Sequence, residues 1–487
     1  MRGRLTRKEF MRAAGLTAGA IVSGGVLDAV SALPALAFEG DGDGHGAPGP
    51  IRPVRLSPFP RAQRVCADTQ LAITFSQAPL VGTSGTIRVV AADGTVVDTI
   101  DLSLPAQSRM IGTAPLPFNY HPVTVSGNTA TIWLHQQLAY GQTYHVLVDP
   151  GVFTDAQGQP FAGITNPLLW RFTTKPAAPR AGSTRLFVAA GGFADFCTVQ
   201  GAIDFVPDGN TQPVQVIVLP GTYREIVYVG PTKTFITVRG LDRSRTVIQY
   251  TNNNTLNPVN NLYRGLFVVA ASDFTIEELT LHNTTPEGGS QAEAFRGTGQ
   301  RVLLNRLNLL SRQDTIRLQG AGFVANTYIE GDVDFTWGTG GAFFSDCEIR
   351  SLHRTVASST DILAQIRNTQ TTHGNVYLRC RLTGPDLQAG DTAFLARIDP
   401  AQFPFSQVIY IDCAMDSHIP AVGWHLDNAT DAPNVQFWEH GSTDLQGAPL
   451  DISGRAPFSR QLSDAEAAQW SDPTFVLGWT PPVSHRR

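Results

Sequence analysis

Short strand-like runs return at fixed intervals through the second half of this chain, and that rhythm restricts its fold more than any other feature. "FTIEELTLHN", "RVLLNRLNLLS", "GFVANTYIEG", "GAFFSDCEIRS", "NVYLRCRLTG" and "QVIYIDCAMDS" share one template: an apolar start, a polar pair, then alternating apolar residues. Leu307, Thr327 and Cys347 hold equivalent places 20 residues apart, and Cys347, Cys380 and Cys413 hold them 33 apart. Strands that recur without hairpin turns between them must lie on successive turns of a coil, because each coil buries its apolar side against the next. The prediction is an all-β chain whose C-terminal part is a right-handed parallel β-helix. An antiparallel barrel is the alternative, and it requires tight hairpins that this region lacks.

The period has a chemical consequence. "SRQDTIRLQG" (311–320) and "GDVDFTWG" (331–338) place Asp314 and Asp334 one 20-residue coil apart. Neighbouring strands lie about 4.8 Å apart, so the two acids become vertical neighbours on one face. Two carboxyl groups that close do not both ionise freely. One is expected to keep its proton and act as an acid while the other stays an anion.

The whole chain has 487 residues, more than one ordinary core accommodates, so several domains are expected. A net charge of −5 and a pI near 6.1 leave no basic footprint for nucleic acid. Residues 1–37 read as an export signal: a basic "MRGRLTRKEFMR", an apolar stretch, and "ALA" at 35–37, with cleavage expected after Ala37. "TRKEFM" is similar to the twin-arginine pattern with Lys8 in place of the second arginine, which leaves the export route open. Secretion or a periplasmic location follows, with no membrane segment in the mature protein.

Residues 38–51, rich in Gly, Pro and Asp, read as a flexible linker. From 52 to 174, short alternating runs divided by turns such as "ADG" and "AYGQ" predict an antiparallel sandwich. This stretch resembles the bacterial Ig-like domains. A Pro-rich connector, 175–184, precedes the coiled domain at 185–487. Five cysteines are too few for a disulfide framework in a chain this long. Cys347, Cys380 and Cys413 are expected to pack as small apolar side chains, and no CxxC or HxxxH spacing points to a metal.

From residue 187 onward the motifs "ADFCTVQGAIDFVP", "LPGTYREIVYV", "SQAEAF", "QDTI", "GDVDFTWGTGGAFFSDCEI", "LAR", "IPAVGW" and "FWEH" resemble, in order, those of the pectin methylesterases. The resemblance implies removal of methyl esters from pectin-like galacturonan with release of methanol. It implies Asp334 as nucleophile, Asp314 as general acid and then base, Gln313 and Gln291 as the amides of an oxyanion hole, and Arg397 as the guanidinium that orients Asp334. These roles suit ester hydrolysis, which needs a nucleophile, an oxyanion stabiliser and a proton donor. Trp337, Trp424 and Arg317 are the expected substrate contacts. Glu225 is expected to make a polar contact within the fold.

The chain also departs from the family pattern. "DFIFG" has become "DFTWG", "QDTLY" has become "QDTIR" with Arg317 in the aromatic place, and "LGRPW" has become "LARID", which removes a sugar-packing tryptophan. No cofactor and no metal are expected. The expected partner is methylated pectin, with no nucleic acid and no membrane, and the expected state is a monomer. A non-catalytic carbohydrate-binding or surface β-helix, an esterase of another methylated polysaccharide, and a polysaccharide lyase or glycosidase are the competing readings. The two glutamines beside the acids favour acyl chemistry over the last two.

Overall fold

Polar residues that adopt a left-handed backbone turn the repeating template into corners. Arg306, Asn326, Asp346, Arg379 and Asp412 have φ of 56°, 51°, 56°, 50° and 51°, and each stands one residue before Leu307, Thr327, Cys347, Cys380 or Cys413. Asn and Asp reach this region more readily than most residues, and the arginines reach it at some cost. Each corner swings the next side chain inward, so the five residues that follow are between 0% and 2% exposed.

The computed structural model describes residues 51–260, 262–355, 361–384, 386–388 and 390–482. The export signal read at 1–37, and the linker up to residue 50, lie outside the described residues. The chain divides into two compact units: one takes residues up to 107 with 121–179 and 191–197, the other 108–120, 180–190 and 198 onward.

In the first unit two antiparallel-rich sheets, of four and five strands among the described residues, enclose one apolar core. Phe75, Phe153 and Phe161 meet there with ring centroids 5.1 to 6.5 Å apart, and the buried Trp170 indole donates to the Pro58 carbonyl at 2.8 Å. One pair in the five-stranded sheet is parallel. Ala62–Val65 runs beside Arg171–Thr174, with Val65 opposite Thr174.

The second unit is the coil that the period predicts. Among its described residues three parallel sheets of eleven, nine and six strands run along it. Register keeps equivalent residues in columns: Leu303, Phe323, Phe343, Val376, Ile409 and Trp438 follow one another across six coils. Inside, Phe344, Tyr377 and Tyr410 stack with centroids 4.7 and 4.5 Å apart and planes 14° apart. Cutting a stacked ring of this kind to alanine costs about 3 to 5 kcal/mol. Cys347, Cys380 and Cys413 lie in a neighbouring buried column, each thiol donating to backbone carbonyls such as Ser345, Leu378 and Ile411. That is the packing role read from their spacing. Helix Val199–Phe205 belongs to the same unit, and both Glu225 carboxylate oxygens accept from its first amides, at 2.8 and 2.9 Å.

Candidate active site

The six-stranded sheet carries the site. Its strands Phe295–Gly297, Ile316–Leu318, Thr336–Gly338 and Ala364–Ile366 align Arg296 with Arg317, Arg317 with Trp337, and Trp337 with Gln365. Alternation separates this outer row from the inner one. Thr336, one residue from Trp337, hydrogen-bonds the interior Tyr377 hydroxyl at 2.6 Å. Two further strands, Ala396–Ile398 and Trp424–Leu426, continue the face with Arg397 opposite His425.

Each acid occupies the turn that leads into one of these strands. Asp314 has φ 67° and Asp334 φ 49°, so both backbones are left-handed, which throws the carboxylate out of the strand's alternation. The Asp314 amide donates to the Val333 carbonyl at 3.0 Å, and Gln313 forms a parallel bridge with Val333. One turn therefore sits directly on the other. Gln291 lies on the preceding coil, where the Ala292 amide donates to the Gln313 carbonyl at 3.1 Å. Both glutamine side chains are half-buried. The Gln291 Oε1 accepts from Ser290 Oγ at 3.2 Å.

The charges around the two acids differ. Arg397 reaches across the coil of Gln365 and grips Asp334 with both arms: Nε to Oδ1 at 2.9 Å, Nη2 to Oδ2 at 2.6 Å. Such a fork fixes both oxygens, and each bond is charge-assisted. Asp314 instead meets Arg264, whose Nη2 donates to Oδ2 at 2.6 Å. Arg264 is itself held by Glu293, Nε to the two carboxylate oxygens at 2.9 and 3.0 Å. Glu293 is 0% and Arg264 6% exposed, so this is a buried acid–guanidinium–acid chain. Burial pushes the Asp314 carboxyl well above the ordinary carboxylate range; Glu293 pushes the same way, Arg264 opposes, and Asp334 adds to the rise. Asp314 is thus built to hold a proton.

Gln291, Gln313, Asp314, Asp334 and Arg397, picked out in the sequence, come together on neighbouring coils. The expected substrate contacts do not all join them. Trp424 points into the coil interior, 2% exposed and stacked on Phe437 at 4.9 Å, because strand alternation turns it to the side opposite Arg397. His425 takes the outer position, stacked on Phe394 at 5.0 Å. Arg317 is only 4% exposed and lies 3.9 Å above the Trp337 ring centroid. Burial and the neighbouring Arg296 lower its pKa to about 9. Trp337 is 6% exposed, with the Arg264 and Arg367 guanidiniums also 5.3 Å from its centroid. Arg317 and Trp337 therefore form a buried cation–π pair, and neither offers an open platform for a sugar ring.

Sequence reasoning missed Arg264, Glu293 and Arg367. Arg264 lies 50 positions before Asp314, outside the quoted motifs, and Glu293 lies 21 before it, inside "SQAEAF" but given no role there. Beside Arg397 the face opens into a cavity of about 510 Å³ lined in part by Gln365, Arg367, Asp399, Phe403 and His425. Asp399 in that lining stands where the family pattern has a tryptophan.

A family model described as Pectinesterase matches residues 185–478, and one described as Bacterial Ig-like domain matches residues 49–174. Pectinesterase 31 of Arabidopsis thaliana is 35% identical over 303 residues, covering 59% of this chain and 91% of that protein. Pectinesterase 1 of Olea europaea is 31% identical over 320 residues, with 63% and 84% covered. Among solved structures, a pectin methylesterase from carrot superposes with a TM-score of 0.55 at 22% identity over 61% of this chain and 94% of that one. PemA of Erwinia chrysanthemi does so with 0.52 at 22% identity, over 62% and 100%. At that identity the superpositions establish the parallel β-helix, and the sequence matches carry the family.

Proposed function

The chain belongs to the pectinesterase family, and from that premise we propose that it is an exported hydrolase that removes methyl esters from pectin-like galacturonan and releases methanol. The observation that carries the reading is the stacked pair of left-handed aspartates, one gripped by a guanidinium fork and the other held protonated. That asymmetry supports a two-step acyl transfer.

In the first step an Asp334 oxygen attacks the ester carbonyl carbon. The carbonyl electrons move to oxygen, where the amide groups of Gln291 and Gln313 donate to the charge. Each oxyanion donor of this kind is worth about 2.7 to 4 kcal/mol of barrier. Collapse of the tetrahedral species expels methoxide, which takes the Asp314 proton and leaves as methanol. A mixed anhydride then joins Asp334 to the sugar carboxyl.

In the second step Asp314, now a carboxylate, takes a proton from water as that water attacks the sugar's acyl carbon. The anhydride bond breaks, Asp334 is restored, a galacturonate is left, and Asp314 again carries its proton. Arg264 holds Asp314 Oδ2, so Oδ1 is the oxygen that cycles the proton. Arg397 holds Asp334 in the attacking orientation throughout.

The polar cavity beside Arg397 supports binding of the neighbouring sugars by hydrogen bonds, in place of stacking on a tryptophan. Export rests on the N-terminal pattern at 1–37. Among the described residues no helix is long and apolar enough to cross a membrane. The test is methanol release by the purified chain from highly methylated pectin beside other methyl-esterified polysaccharides. Release from pectin above the rest is expected. Absence of methanol from pectin between about pH 5 and about pH 9, a span covering ordinary acid–base optima, would overturn the reading.

A further inference from the structure

We propose that Cys66 and Cys197 are a dithiol site that closes into a disulfide when the protein meets an oxidising disulfide donor. The site lies in the first unit and is independent of the acid pair.

The register of two strands builds it. Ala62–Val65 runs parallel to Arg171–Thr174, so the residues just beyond them, Cys66 and Lys175, emerge side by side; the Lys175 amide donates to the Val65 carbonyl at 2.8 Å. The Lys175 ammonium then reaches Cys66 Sγ at 3.3 Å. The same ammonium donates to the carbonyls of Ala194 and Asp195, the latter at 3.1 Å. Asp68 clamps the same segment from the other side: its two oxygens accept from the Cys197 amide at 3.1 and 3.0 Å. A cation and an anion thus pin residues 194–197 against Cys66. Cys66 Sγ, Cys197 Sγ and an Asp68 oxygen all lie within 4.8 Å of one another, with Cys66 0% and Cys197 8% exposed.

Two chemistries suit a pair of thiols beside a carboxylate, and Lys175 separates them. A divalent cation would have to share the sulfur with an ammonium 3.3 Å away, and among the described residues the cluster holds only these three donors. A structural zinc site wants four ligands and no adjacent positive charge. Thiol–disulfide exchange is helped by that charge, because the reacting species is the thiolate. The surroundings split the pair accordingly: the Cys197 contact lowers the Cys66 thiol, with Lys175 contributing, while the same contact, followed by burial, raises Cys197.

The step balances with a small-molecule disulfide as oxidant. The Cys66 thiolate attacks one sulfur of the donor, forming a mixed disulfide and releasing one thiolate. Cys197 then loses its proton and attacks Cys66 Sγ, forming the Cys66–Cys197 bond and releasing the second thiolate. The protein gives up two electrons and two protons, and the donor becomes two thiols. Cys347, Cys380 and Cys413 take no part, since they lie in the second unit and contribute no group to this cluster. The cross-link closes a loop of 131 sequence positions, which restricts the unfolded chain and stabilises the fold.

The experiment uses the full chain purified without reductant and incubated with oxidised glutathione, then denatured, alkylated and mapped by mass spectrometry. The expected result is alkylation of Cys347, Cys380 and Cys413 alone, with the peptides of Cys66 and Cys197 joined and freed by dithiothreitol. Cys66→Ser should abolish the joined peptide. Five alkylated cysteines after the same treatment, or a stoichiometric divalent metal retained by the untreated protein and protecting both thiols, would overturn the proposal. Because the map is read on the wild-type chain, it does not depend on how well a variant folds.

Discussion

The turn at Asp314 and the turn at Asp334 share a backbone and differ in company. Both are left-handed, both lead into strands of one sheet, and the coil places one on the other. Around Asp334 stands one partly exposed guanidinium in a two-armed grip. Around Asp314 stands a buried chain of Arg264 and Glu293, in which Glu293 joins with burial in keeping a proton on the acid while Arg264 opposes them. Repetition thus explains where two identical groups sit, and residues from distant coils explain why their surroundings differ.

The most severe way to break the comparison is to neutralise one acid at a time. Asp334→Asn changes little volume, and turnover should fall by about 10⁴-fold or more while circular dichroism is unchanged. Asp314→Asn should cost about 10² to 10⁴-fold through lost proton transfer, measured as kcat on methylated pectin. A loss below about threefold in the second variant contradicts its role.

Milder changes sharpen the comparison. Arg397→Lys keeps the charge and loses the fork, so kcat should drop by about 10 to 100-fold with KM much less affected. Glu293→Gln acts on the surroundings of the other acid. It removes a negative neighbour that raises Asp314, so the alkaline limb of kcat/KM, where the general acid loses its proton, should move to lower pH. An unmoved limb, with folding intact, would detach Glu293 from the acid.

The smallest effect lies in stability. Asp314 binds its proton more tightly folded than unfolded, so between the ordinary carboxylate value and the folded one the native state carries more protons. Unfolding free energy therefore falls as pH rises through that window. Asp314→Asn removes the loss and should gain thermal stability over the wild type as pH rises, in melting curves recorded at several pH values. Asp334→Asn should show no such gain, because it leaves Arg397 without its fork.

The period, the parallel coil and the stacking of Asp314 on Asp334 were legible because residues 20 positions apart carry the same template. Arg397 was legible through its motif. Arg264 was not, since a charged residue buried by a contact from another coil leaves no local pattern, and Glu293 stood inside "SQAEAF" with nothing there to name its distant partner. Trp424 was misplaced for a related reason: the step from Arg397 to His425 is 28 residues, neither 20 nor 33, so which of two neighbours faces outward cannot be counted from the repeat. The assignment of residues 108–120 to the second unit was equally hidden, because no shift in composition marks it.

The central claim is that one acid attacks and the other passes the proton. It is tested most directly by following methanol release from one preparation of highly methylated pectin with the wild-type chain and with Asp334→Asn, each confirmed as folded. Release by the wild type and none above background by the variant is the predicted result; equal release by both would contradict the account.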